Sequence, residues 1–102
     1  MVTNRLKIVW DDVAKNYLKK SIQYIKLDSP HNALKVSNSI DETVELIVNN
    51  PERYPPDKYR LNNIDNRYRV VILYNFRISY YISKEEIRIV RMRHAKQDAS
   101  FY

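Results

Sequence analysis

The sequence predicts an α+β domain in which an N-terminal strand leads into an antiparallel helical hairpin, and the hairpin packs on one face of a mainly antiparallel sheet. Three observations predict it. Two amphipathic stretches lie between residues 12 and 49, separated by a link of only a few residues that ends at Ser29-Pro30. Three segments rich in β-branched and aromatic residues follow between residues 67 and 94, with turn-sized gaps between them. A short alternating segment, Arg5 to Trp10, precedes the first helix. At 102 residues, residues 1–102 make a single domain, long enough to pack one core without a metal or disulfide staple.

Leu6, Ile8 and Trp10 alternate with polar neighbours and so mark the buried side of the first strand. Asp11 or Asp12 can accept hydrogen bonds from the free N–H groups that open the next helix, and either suits the positive end of its dipole. That helix spans about residues 12 to 26. Ala14, Leu18, Ile22 and Ile25 recur at helical spacing, flanked by Val13 and Tyr17, while Lys15, Lys19, Lys20 and Lys26 fill the polar side. Ser29 caps the second helix, and Pro30 stands at its first position, where a missing N–H costs nothing. Ala33, Val36, Ile40, Val44 and Ile47 form its core stripe, and Asn49-Asn50-Pro51 stops it. So short a link predicts an antiparallel pair. His31, in the first turn of the second helix, reads as exposed and structural.

Residues 51 to 66 form the longest irregular stretch, stiffened by Pro51, Pro55 and Pro56. Loops of that length in a small domain are disproportionately functional. The chain has no glycine, so left-handed turn positions are expected to fall to asparagine, as at Asn62-Asn63 and Asn75.

The last three strands form a meander. Phe76, Ile78, Tyr80 and Ile82 alternate with Arg77, Ser79, Tyr81 and Ser83, so one face is core and the other polar. With Ser83 and Glu86 closing the turn, Ile82 faces Ile87 and Tyr80 faces Ile89. Arg77, Tyr81, Arg88, Met92 and His94 are then expected together on the open face. A three-residue loop over Leu73 to Asn75 is preferred, which adds Arg69 to that face and puts Val70 and Ile72 in the core. A two-residue turn would separate Arg69 from Arg77, since a one-residue slip reverses every side chain. On this reading Arg77 is exposed, and truncating it leaves the fold intact.

Composition narrows the chemistry. The absence of cysteine excludes disulfide scaffolds, thiolate metal sites and cysteine nucleophiles, and two histidines are too few for a multi-histidine metal centre. No metal or cofactor is expected. No apolar run approaches the roughly 18 to 20 residues that span a membrane, and no signal segment opens the chain, which predicts a cytoplasmic protein without a membrane partner. The net charge of +6 is one-sided. Residues 1–57 hold eight basic and eight acidic side chains, whereas residues 58–102 hold ten and four. A basic sheet attracts a polyanion or an acidic protein.

Arg69, Arg77, Arg88, His94 and Tyr102 are the constellation with chemical potential. Fixed guanidinium groups recognise phosphate bidentately and favour the more highly charged transition state of its cleavage. Metal-free RNA cleavage also needs a base for the 2′-hydroxyl and an acid for the leaving oxygen, and His94 has an imidazole suited to either. Tyr102 or Tyr81 could stack on a nucleobase. Alternatively the face binds protein, with Tyr81 and Met92 as apolar anchors ringed by arginines.

The ordered set resembles the RelE/ParE superfamily of bacterial type II toxin–antitoxin toxins over essentially its full length. It comprises Trp10-Asp11-Asp12-Val13-Ala14, Tyr68-Arg69, Phe76-Arg77-Ile78-Ser79-Tyr80 and Ile87-Arg88-Ile89-Val90-Arg91-Met92-Arg93-His94. The resemblance implies the fold above and a toxin held inactive by a cognate antitoxin. RelE-like members cleave mRNA in the ribosome without metal. By that pattern Arg69, Arg77, His94 and Tyr102 match catalytic positions, and Lys58 and Arg60 fall where other members have catalytic or RNA-binding cations; with Tyr81 and Arg88 of the open face they make the expected RNA-binding set. In YoeB-like chains the histidine and tyrosine are adjacent, whereas here Ala95 to Phe101 separate them. ParE-like members share the fold yet poison DNA gyrase, and fold alone does not choose between the two. The expectation preferred on sequence is a ribosome-dependent mRNA endoribonuclease that inhibits translation. The alternative is a gyrase inhibitor acting by protein binding, and the third reading is an inactive binding module.

Overall fold

The computed structural model describes residues 6–95, and Arg5 and Tyr102 lie outside them. The elements run β1 (Lys7–Trp10), α1 (Asp12–Asp28), α2 (Pro30–Asn49), β2 (Tyr68–Leu73), β3 (Phe76–Ile82) and β4 (Glu86–His94). This is the α+β order expected. The sheet has the strand order β1-β4-β3-β2, with β1 parallel to β4 and the other pairs antiparallel. Among the described residues no helix is long and apolar enough to cross a membrane.

A single residue joins the helices. Ser29 donates its N–H to the Ile25 carbonyl at 2.8 Å and closes α1, while its side-chain oxygen accepts from the Asn32 N–H at 3.1 Å and opens α2. Asp11 stands at the start of α1 but makes no side-chain cap there. Its carboxylate is taken by Arg88 instead, at 2.6 Å, so the ion pair between β4 and the helix start replaces the expected cap. The hairpin and the sheet enclose a core built on Ala14, Val36, Ile40, Ile47, Ile78, Tyr80, Ile87 and Ile89, with Leu18, Ile22 and Val44 packed at its margin. His31 is exposed, as expected.

The irregular stretch after α2 is tied to the outer edge of β2. Pro56 forms an antiparallel bridge with Arg69, the Asp57 N–H donates to the Tyr68 carbonyl, and the Val70 N–H donates to the Pro55 carbonyl. Further on, Asn62, Asp65 and Asn66 take positive φ near 54°, where glycine is absent. Asn63 then mimics a strand partner. Its side-chain amide donates to the Tyr68 carbonyl and accepts from the Tyr68 N–H, at 2.8 and 2.9 Å, and launches β2.

Two features of the meander depart from expectation, and both decide which face a side chain reaches. First, β2 and β3 are joined by a two-residue turn, with Leu73 opposite Phe76. Tyr74 rather than Asn75 takes the left-handed conformation, at φ 54°, and its hydroxyl lies 3.0 Å from Ser39 Oγ on α2. That tether holds a residue with no intrinsic liking for the region. Second, β4 carries a bulge. Ser79 pairs with Arg91 but Tyr80 pairs with Ile89, leaving Val90 unmatched. The predicted pairings Ile82–Ile87 and Tyr80–Ile89 both occur. Beyond the bulge, side-chain alternation inverts.

Candidate functional site

The turn and the bulge together re-sort the expected constellation. Arg69 lies opposite Tyr80, on the helix-facing side of the sheet, whereas Arg77 lies opposite Ile72 on the open side. The expectation that Arg69 and Arg77 share a face is therefore corrected, and so is the placement of Ile72, which is exposed. Val70 is buried, yet on the open side, beside Ser79. The bulge turns Met92 inward against Ile78 and sets His94 beside Phe76, so neither emerges with Arg77. In their place Arg91 and Arg93 join the open face, opposite Ser79 and Arg77.

Arg69 has a different task. Its Nε donates to the Asn66 carbonyl at 3.1 Å, and its Nη1 donates to the carbonyls of Glu52 and Tyr54 at 3.2 and 2.8 Å. An irregular segment leaves carbonyls that need donors, and one guanidinium supplies three. Beside it the Tyr80 hydroxyl donates to the Pro51 carbonyl at 2.8 Å. Burial, above all, pushes the Tyr80 phenol up to about 12.

Arg77 is not exposed. Its Nη2 donates to Asp57 Oδ1 at 2.9 Å, with the Asp57 side chain wholly buried and that of Arg77 13 % exposed. The same carboxylate accepts from the Tyr59 N–H at 3.0 Å and from Ser79 Oγ at 3.4 Å. Asp57 was missed by sequence reasoning. The available signal was a carboxylate directly after Pro55-Pro56, in a stiff segment leading into a strand region with excess arginine.

Around this pair the open face is aromatic and cationic. The Arg60 guanidinium lies 4.0 Å from the centroid of Tyr68, whose ring packs 4.7 Å from that of Tyr81. Lys58 and Arg77 approach Tyr59 at 5.2 and 4.8 Å. Such contacts hold cations over ring faces. Arg67 hydrogen-bonds Tyr81, which raises its pKa above the ordinary arginine value. Arg88 is held between Asp11 and Glu86, at 2.6 and 3.0 Å, and the Asp11 contact chiefly raises its pKa. Of the expected RNA-binding set, Lys58, Arg60 and Tyr81 thus share one neighbourhood, and Arg88 lies across the strand from Tyr81.

His94 opens elsewhere. It lines a groove of about 620 Å³ with Tyr17, Tyr24, Ile25 and Phe76, between α1 and the β2–β3 turn. The groove is apolar and lies on the helix side. The open face offers guanidinium, ammonium and phenol groups, and its described carboxylates are held by arginines. Its chemistry is recognition of negative charge and of surfaces; no imidazole stands there to move a proton near neutral pH. Among the described residues, no group of three or more histidine, aspartate and glutamate side chains is placed to hold a metal ion.

No curated protein sequence matches the chain. Among solved structures, the chromosomal ParDE toxin–antitoxin system from P. aeruginosa contains a chain similar in fold, with a TM-score of 0.70 and 22 % identity. The match covers 92 % of this chain and all of that one. The family model described as the ParE toxin of the type II toxin–antitoxin system parDE matches residues 8–99. The chain therefore belongs to the ParE toxin family of type II toxin–antitoxin systems.

Proposed function

We propose that this toxin acts by binding a protein target, DNA gyrase, rather than by cutting RNA, and that a cognate antitoxin neutralises it. One observation carries this reading. Arg69, Arg77 and His94 occupy three separate environments: a backbone latch, a buried ion pair and an apolar groove. A nuclease needs its phosphate-binding cations and its proton carrier around one phosphate, within hydrogen-bond reach of the reacting atoms. A protein-binding toxin has no such requirement. Family membership supports the same direction, and the two-component character of the similar ParDE system supports an antitoxin partner.

The endoribonuclease is retained as the second reading because the open face is basic and aromatic at Lys58, Arg60 and Tyr81. Induction in a bacterial host separates the two. The gyrase reading expects DNA damage and altered supercoiling with intact mRNA, together with inhibition of purified gyrase. Early loss of translation with new mRNA ends at codons on ribosomes would overturn it.

A further inference from the structure

We infer that the open face of the sheet binds the phosphate backbone of duplex DNA, through Lys58, Arg60, Arg91 and Arg93. The assignment to DNA rests on the gyrase reading, since a toxin seated on an enzyme that carries duplex DNA is brought beside its phosphates. The face itself is argued from the fold. A strictly alternating β4 would have sent Arg91 and Arg93 to the helix side, and the unmatched Val90 turns both outward. That arrangement has a cost. Arg93 lies directly across from Arg77, and like charges opposite one another destabilise a sheet. Asp57 lies on Arg77, and Asp11 and Glu86 lie on Arg88, yet with Lys58, Arg60, Arg91 and Arg93 added the face carries more cations than carboxylates. Arg60 and Arg91 line one cleft of about 290 Å³ with Tyr68, Val90 and Asp11, whose carboxylate is held by Arg88, so two guanidinium groups meet at one opening.

Charge is the larger part of what this surface offers, beside the half-exposed ring of Tyr59. Tyr68 is packed between Arg60 and Tyr81, so its ring is already engaged, whereas single-stranded nucleic acids are held mainly on bare aromatic faces. Contacts from arginine and lysine to phosphates position a protein on a duplex without reading its sequence.

The test is fluorescence anisotropy of the full chain with a short labelled DNA duplex of mixed sequence, titrated over a range of salt, beside a single-stranded RNA of equal length. The expected result is duplex binding that weakens as salt rises. Each phosphate contact contributes about 0.9 to the slope of log affinity against log salt. The double variant Arg91→Gln/Arg93→Gln should therefore lose about 1.8 of that slope, and its duplex affinity at low salt should fall by ~tenfold or more. Circular dichroism reports whether the double variant folds. If it does not, Lys58→Gln decides, because Lys58 is exposed and its replacement should remove about 0.9 of the slope. A wild-type chain that ignores the duplex at low salt overturns the proposal. So does an unchanged slope in Lys58→Gln, or retention of the RNA with no retention of the duplex. Gyrase is absent from this measurement, so its failure leaves gyrase inhibition standing, and loss of gyrase inhibition leaves the duplex affinity measurable.

Discussion

Arg77 and Asp57 meet at 2.9 Å beneath the open face of the sheet, joining β3 to the proline-rich segment that follows the helical hairpin. Breaking a buried pair from one side strands the other charge, which typically costs ~3–5 kcal/mol. Arg77→Ala should accordingly destabilise the protein by about that amount in urea denaturation. Replacing both partners with apolar residues, Arg77→Met with Asp57→Leu, should recover part of the loss, the remainder being the Tyr59 N–H and the Ser79 hydroxyl left without their acceptor. A toxicity assay on Arg77→Ala alone would confuse unfolding with loss of a site; the double variant is the informative one. A single variant as stable as wild type would show that the pair does not hold the segment.

Arg69 latches the same segment from the other side. Arg69→Ala leaves the carbonyls of Glu52, Tyr54 and Asn66 without this donor, at a cost of roughly 1–3 kcal/mol and more where water cannot reach them. Limited proteolysis should cut the 51–57 segment faster in the variant. Arg69→Lys should not restore protection, because one ammonium cannot reproduce the planar fork. Equal cleavage of Arg69→Lys and wild type would sink this account.

Tyr80 gives the fold a defined weakness at alkaline pH. The folded chain keeps the phenolic proton up to about 12, while the unfolded chain releases it near 10. Between those values the unfolded state holds fewer protons, so stability falls as pH rises and is unaffected below pH 10. The loss is on the order of 2 kcal/mol. Tyr80→Phe removes this part of the alkaline decline, and comparing the two proteins by denaturation across that window isolates it from the other tyrosines. Identical alkaline slopes would contradict the assignment.

Ser29 serves both helices, but only its side chain is specific to α2. Ser29→Ala should cost ~1 kcal/mol by removing the bond from the Asn32 N–H. Ser29→Asp should retain most of the stability, and a thermal melt of the three proteins makes the comparison.

Much of this architecture was legible because local chemistry and global pattern agreed. Ser29-Pro30 marks a helix start whatever lies around it, and the Ile82–Ile87 pairing follows from the apolar alternation. Two single-residue decisions were not legible, and they govern the site. A tyrosine in a left-handed turn has no sequence signature, because Tyr74 is held there from a distance through Ser39. The bulge did leave a trace: Ile89-Val90 breaks the alternation, and Arg88, Arg91 and Arg93 can share a face only if one residue between them is unmatched. Asp57 left only the trace of its place after Pro55-Pro56, since its partner Arg77 lies 20 residues away. Tyr102, expected near the site, lies outside the described residues.

The bridge between Pro56 and Arg69 bears on how copies of this chain can meet. It occupies the outward carbonyl of Tyr68 and the outward N–H of Val70, and the segment it adds contains two adjacent prolines, which offer no N–H to a newcomer. Fibril growth by strand addition requires each chain to accept a neighbour on two sides. Here the first half of β2 is covered on its outer side, which leaves a newcomer only the short stretch around Ile72. The sheet thus works against open-ended stacking of copies of this chain at that edge.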